Sequence, residues 1–148
     1  MKVIIVRGLP GTGKSTWIQN NFDLDPHTKC SADNFFYSGK DYKFNPEKVE
    51  DAHKYCFRTF AEALDREDPL VIVDNVAHRL HNVSPYMKLA QLKGYEVEVI
   101  LMYCPDPWDA WNRNQHGVPK DQFGWLIKGF EKAPKAWRER KATSKDWY

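Results

Sequence analysis

At 148 residues, with 42% hydrophobic and 28% charged positions, the chain is long enough to bury a core and is expected to form one domain spanning 1–148. Six Trp within a 14% aromatic share exclude a disordered or low-complexity chain. A net charge of +2 says little about partners, and the longest apolar run, Val97 to Tyr103 with Glu98 inside it, is far too short to span a bilayer.

Val3-Ile4-Ile5-Val6 is a β-branched run that reads as a buried first strand rather than a leader peptide. A helix is expected from about Gly13 to Asn21, and Lys29-Cys30-Ser31 forms a short second strand. From Phe35 to Asn45 the chain carries Gly39 and five aromatics without helical periodicity, which predicts a loop or small hairpin. Asn45-Pro46 then opens an amphipathic helix reaching about Arg66, with Asn as cap and Pro in the first turn. Leu70-Val71-Ile72-Val73 is a further buried strand ending in Asp74. Ser84-Pro85 starts a helix that Gly94 stops, and residues 97–103 give another strand. Short helices are expected near 107–115 and 119–132, followed by a basic, Trp-containing tail over 133–148.

Strands alternating with helix-length segments define an α/β class with a mainly parallel sheet flanked by helices. Three cysteines, Cys30, Cys56 and Cys104, show no Cys-x-x-Cys pair. That argues against a disulfide framework or zinc site and fits a reducing compartment. With no targeting signal or membrane span read from the chain, the expected location is the cytoplasm. Residues 128–148 hold seven Lys/Arg against three Asp/Glu. This tail is either a docking element for nucleic acid or another subunit, or an ordinary terminal helix packed by Trp137 and Trp147.

Gly8-Leu9-Pro10-Gly11-Thr12-Gly13-Lys14-Ser15 matches G-x-x-x-x-G-K-[ST], the phosphate-binding P-loop. It lies between a strand and a helix, as that motif requires. Its glycines let successive N–H groups converge on phosphate oxygens, and the helix adds its positive N-terminal end. The nucleotide is therefore expected on Gly11, Thr12, Gly13, Lys14, Ser15 and Thr16. Lys14 serves the β/γ-phosphates and Ser15 offers a hydroxyl to Mg²⁺. Asp74, at the end of an apolar strand, reads as the Walker-B aspartate for the same metal, with Asn75 beside it, or else as the cap of a turn.

Asp33 falls just past the second strand. It is either the carboxylate that accepts a proton from an attacking hydroxyl or a simple cap. Arg113, in a short polar segment after the strand at 97–103, is a lid arginine that neutralises the transferring phosphoryl group, or a solvated side chain. Arg7 and Arg79 are lesser candidates. His78 and His81 are three residues apart, but no further metal ligand accompanies them. Phe35, Phe36, Tyr37, Tyr42 and Phe44 alternate with Lys40 and Lys43. This is the pattern either of a single-stranded nucleic-acid groove or of a hydrophobic cluster under a long loop.

With these residues in place, the chain resembles the P-loop polynucleotide kinase family, and within it the branch formed by the kinase-like domain of NEDD4-binding protein 2 and its bacteriophage relatives. The resemblance covers roughly residues 2 to 131. It is carried by residues 7–15, Ser31-Ala32-Asp33-Asn34-Phe35-Phe36, Ala52-His53, Val71-Ile72-Val73-Asp74-Asn75, Pro85-Tyr86 and Arg113-Asn114-Gln115-His116-Gly117-Val118. It implies a three-layer P-loop kinase fold with a small helical lid. The implied activity is ATP- and Mg²⁺-dependent transfer of a γ-phosphate to the 5′-hydroxyl end of DNA or RNA, with Asp33 as general base and Arg113 as lid residue. The chain departs from the bacteriophage pattern where an arginine that grips nucleic acid stands a few residues past the base. Phe35-Phe36-Tyr37 occupies that stretch here. The competing expectations are a kinase for a small hydroxylated molecule and a non-enzymatic ATP-binding module.

Overall fold

The computed structural model describes residues 1–114, 117–137 and 139–142. In chain order the elements are β1 (Lys2–Arg7), α1 (Lys14–Phe22), β2 (Thr28–Cys30), β3 (Tyr37–Ser38), β4 (Asp41–Tyr42), α2 (Val49–Asp65), β5 (Leu70–Asp74), α3 (Ser84–Leu92), β6 (Glu96–Met102), α4 (Pro107–Arg113), α5 (Lys120–Gly129) and β7 (Arg140–Ala142). Five strands form one parallel sheet in the order β2-β5-β1-β6-β7, and β3 and β4 make a separate antiparallel hairpin.

The all-parallel order explains why the central strands read as unbroken apolar runs, since both faces are covered. Val3 and Ile5 of β1, with Val71 and Val73 of β5, pack under Phe60 and Leu64 of α2 and Tyr86 and Ala90 of α3. Ile4, Val6 and Ile72 face the other way, onto Trp17 and Ile18 of α1. The result is the expected three-layer arrangement. Asn45 caps the turn at Pro46–Lys48 by accepting from the Glu47 N–H, and α2 follows directly. None of the described helices is long and apolar enough to cross a membrane.

The site is positioned by the exchange of neighbours around β1. The chain leaves β1 for the edge strand β2, returns to β5 on one side of β1, and only then crosses to β6 on the other. Such a switch point opens a crevice beyond the carboxyl ends of the strands, and the loop after β1 and Asp74 at the end of β5 both sit there.

The tail differs from the helix expectation. Residues 140–142 are a strand, not a helix, and pair in parallel with Ile100–Met102 of β6. Trp137 packs against the main core, whereas Trp147 lies outside the described residues. Arg7 is likewise a structural residue rather than a site residue. It is fully buried; its guanidinium donates to the carbonyls of Ala77 (3.0 Å), His78 (3.4 Å) and Glu131 (2.8 Å). It also pairs with the Glu139 carboxylate at 3.0 Å and lies 4.5 Å from the Phe130 ring centroid. A buried charge is tolerated when each of its nitrogens finds an acceptor in this way. Arg79 is taken up by Glu131, at 2.8 Å, on the same side of the molecule.

Candidate active site

The P-loop turns sharply because Gly13 adopts a left-handed φ of 91° at the N-cap of α1, a conformation that costs glycine little. No side chain caps that helix. Its first N–H groups therefore remain for a ligand, the usual basis of phosphate binding at a helix start. Gly11, φ 84°, lies directly against the Ala110 carbonyl, so a Cβ there would collide with the backbone of α4. α4 rests on the loop at this point.

Lys14 Nζ donates to the carbonyls of Gly8 (2.8 Å) and Leu9 (3.1 Å), folding its ammonium back over the loop. Burial lowers its pKa; the Asp74 and Asp33 carboxylates oppose that shift and Lys29 adds to it. Thr12 is placed differently from its neighbours. It is buried, its hydroxyl donates to the Leu9 carbonyl at 2.8 Å, and its N–H bonds the same carbonyl. It braces the loop from within, while Gly11, Gly13, Lys14, Ser15 and Thr16 line the cleft.

Ser15 Oγ donates to Asp74 Oδ2 at 3.0 Å. Among the described residues no cluster of three or more His, Cys, Asp or Glu could hold a metal. A hydroxyl and one carboxylate still suit Mg²⁺, which commonly takes one or two protein oxygens and completes its shell with water and phosphate. Lys29, which the sequence reading did not single out, reaches the same point. Its Nζ lies 3.2 Å from Asp74 Oδ2 and 3.4 Å from Ser15 Oγ.

Asp33 is brought to this cleft by the 3₁₀ turn Ala32–Phe36, whose N-cap Ser31 accepts from the Asp33 N–H. Asn75, next to Asp74, holds that turn in place. Its Oδ1 accepts from Ala32 N at 2.9 Å, and its Nδ2 reaches Cys56 Sγ at 3.5 Å. The Tyr42 hydroxyl donates to Asp33 Oδ1 at 3.2 Å. Burial, reinforced by the Asp33 charge, raises the Tyr42 pKa, so the phenol stays a donor. Arg113, at the end of α4, also faces the cleft and contacts Cys104 Sγ at 3.8 Å. His53 lines the α2 wall with its pKa lowered by burial, against an opposing effect of Asp33. Gln115 and His116 of the segment after Arg113 lie outside the described residues.

Lys14, Ser15, Asp33, Asp74 and Arg113 thus share one cavity of ≈ 1790 Å³. Ordinary small-ligand pockets run from about 300 to 1,000 Å³, so this one has room for a nucleotide together with an acceptor. The aromatic segment divides in two. Phe36 is buried and joins the core, with Phe35 and Tyr42 packed against it, as expected of a hydrophobic cluster. Tyr37 and Phe44 stay outside that cluster, 44% and 45% exposed.

A parallel sheet of this order, with a P-loop leaving its central strand and a Ser/Asp pair beside it, defines a P-loop protein of the kinase type. The chain belongs to the family described as AAA domain, whose profile matches residues 3–121. It is similar to NEDD4-binding protein 2 of Homo sapiens, 28% identical over 137 residues that cover 88% of this chain and 8% of that protein. A second relative is YLP motif-containing protein 1 of Homo sapiens, 27% identical over 90% of this chain and 7% of its own length. The chain therefore spans less than a tenth of these curated relatives.

Among solved structures, Chaetomium thermophilum Kti12 in complex with ADP-AlF3 superimposes with a TM-score of 0.67 at 14% identity, covering 97% of this chain and 90% of that one. A gluconokinase from Sinorhizobium meliloti 1021 gives 0.64 at 14% identity, over 95% and 81% of the two chains. The Mycobacterium tuberculosis APS kinase CysC, in complex with AMPPNP and APS, gives 0.60 at 15% identity, over 97% and 88%. These likenesses establish the fold.

Proposed function

We propose that this protein transfers the γ-phosphate of a nucleoside triphosphate to the 5′-hydroxyl end of a DNA or RNA strand. The observation that carries a transfer reaction is the placement of Asp33 in the same cleft as Lys14, Ser15 and Asp74. A carboxylate held by a phenol opposite a phosphate cradle is what activation of a hydroxyl requires. The polynucleotide acceptor is supported by the motifs shared with the polynucleotide kinase family and by a cleft too large for a nucleotide alone.

In this reading the P-loop N–H groups and the start of α1 bind the triphosphate, and Lys14 swings from the Gly8 and Leu9 carbonyls onto the β/γ oxygens. Ser15 and Asp74 would hold Mg²⁺, which supplies charge neutralisation at those oxygens when bound. Asp33 accepts the hydroxyl proton as the new O–P bond forms and the bond to the β-phosphate oxygen breaks. The nucleoside diphosphate then leaves, and the proton passes from Asp33 to water. Arg113 faces the transferring group and offsets its charge.

The test is a panel of acceptors offered with labelled ATP and Mg²⁺: 5′-hydroxyl DNA and RNA strands, and small alcohols including nucleosides and sugars. Labelling of the strands well above the small alcohols is the expected result. Preferential labelling of a small alcohol would replace this reading with that of a small-molecule kinase.

A further inference from the structure

Resting on the polynucleotide reading, we propose that the outer side of the β3–β4 hairpin is a second nucleic-acid subsite. There the acceptor strand, beyond its reacting end, stacks a base on Tyr37 and Phe44 and sets a phosphate beside Lys43 and Lys48.

A separate cavity of ≈ 510 Å³ opens on this side of the hairpin, and Tyr37, Lys43, Phe44, Pro46 and Lys48 line it. Its volume is that of a pocket for one small organic group, about 300–1,000 Å³. Lys43 and Lys48 are its only charged lining residues, and both are exposed. The two rings do not contribute to the core as their neighbours do. Tyr37 is braced by Tyr42 at a centroid distance of 5.0 Å and Phe44 by Phe36 at 5.1 Å, yet nearly half of each surface remains open. Rigid rings fixed on one side and exposed on the other are platforms for planar groups. Every base presents such a plane, while a neighbouring ammonium takes the backbone phosphate.

The subsite is continuous with the reaction cleft. Phe36, Tyr37 and Phe44 line both cavities. Asp33 and Tyr37 are four residues apart along one 3₁₀ turn and its cap. At ~2 Å rise per residue that is roughly 8 Å, within reach of adjacent nucleotides of a single strand. A strand whose terminal hydroxyl meets Asp33 therefore runs onto these rings. This also accounts for the stretch just past the base, where rings replace an arginine: the grip is by stacking rather than by ion pairing.

The test combines binding with transfer. Short 5′-hydroxyl strands of DNA and of RNA are titrated by fluorescence anisotropy, and phosphate transfer is measured to the same strands and to a nucleoside 3′-phosphate. Tyr37→Ala and Phe44→Ala are each expected to weaken strand binding at least about five-fold, the low end for a lost base stack. ATP binding should not change, and transfer to the nucleoside 3′-phosphate should fall by less than strand binding does. Tyr37→Trp retains strand affinity, and Lys43→Ala makes binding less salt-dependent, by roughly 0.7 in the log–log slope.

Strand affinity unaltered in both alanine variants overturns the subsite. So does an equal loss on the mononucleotide acceptor, which would signal collapse of the hairpin. Binding of the strands that depends on Tyr37 but is accompanied by no transfer supports the subsite and refutes the kinase reading. Failure of the wild-type protein to bind any strand refutes the subsite and leaves the rings to a protein partner.

Discussion

On the proposed function, the cleft has a nucleotide wall and an acceptor wall, and the two are made in different ways. The nucleotide wall is a short contiguous loop, residues 8–16, whose carbonyls are engaged by Lys14 and Thr12 and whose strand is anchored from behind by buried Arg7. The acceptor wall hangs Asp33 on one turn, held by an Asn75–Ala32 hydrogen bond and by Tyr42, beside rings that are partly in solvent. Phosphate geometry is the same in every nucleoside triphosphate, so a wall that binds it gains from being rigid. The wall that selects an acceptor needs a base fixed at one point and a surface around it that can differ.

If that contrast is right, disturbing the anchor behind the nucleotide wall should have the largest effect on stability. Glu139→Gln leaves the buried Arg7 guanidinium without its carboxylate. Breaking a buried pair costs about 3–5 kcal/mol. A loss at the low end, eased by the three carbonyls that remain, lowers the melting temperature by roughly 10 °C in a domain of this size. Calorimetry showing no change would mean that Arg7 is satisfied by the carbonyls alone.

On the acceptor wall the corresponding change should affect rate and not fold. Tyr42→Phe removes the hydroxyl that holds Asp33 Oδ1. The turnover number is expected to fall about ten-fold, an energy near that of one charge-assisted hydrogen bond, with ATP affinity intact. A drop in ATP affinity would place Tyr42 on the nucleotide side instead.

The difference between the walls also shows in what could be read from the linear chain. The P-loop, the strand ending in Asp74, the cap at Asn45 and the helix start at Ser84-Pro85 are local patterns, and each is found where its residues predicted. β7 was not legible, because Arg140-Lys141-Ala142 has no apolar alternation and becomes a strand only by pairing with β6. Arg7 gave no sign of its role, since its partners lie 70 to 132 residues away. Lys29 looked like any edge-strand cation, and only the fold sets it between Asp74 and Ser15. The aromatic segment left two readings open because ring spacing alone does not say which rings are inside.

Lys29 sharpens the comparison further, since it puts a movable cation into the rigid wall. Its ammonium occupies the approach to Asp74 Oδ2 and Ser15 Oγ. Lys29→Met should lower the Mg²⁺ concentration that half-saturates nucleotide binding by a few-fold, because no ammonium competes for the carboxylate. A partly exposed pair of this kind is worth at most about 1 kcal/mol. Weaker metal binding in the variant would show that Lys29 assists the metal.

The smallest expected effect is on pH. Burial lowers the pKa of His53 and of His78, with Arg79, His81 and Arg7 adding to the shift at His78. As pH falls through the unfolded value of about 6.5, the unfolded chain gains these protons before the folded one. Stability is therefore full above that pH and declines below it, until the lowered folded values are passed. His53→Gln with His78→Gln should flatten the melting-temperature profile between pH 7 and 5. An unchanged slope would assign it to other groups.

The most direct test of two walls meeting at one reaction centre is to measure ATP affinity by titration calorimetry and single-turnover phosphate transfer together, in Asp33→Asn and in Lys14→Met. Asp33→Asn should bind ATP as the wild type does and lose transfer by about 10²–10⁴-fold, the usual contribution of a general base, while Lys14→Met loses ATP affinity and transfer alike. Transfer that survives in Asp33→Asn at the wild-type rate would contradict the account, because the acceptor wall would then have no part in the chemistry.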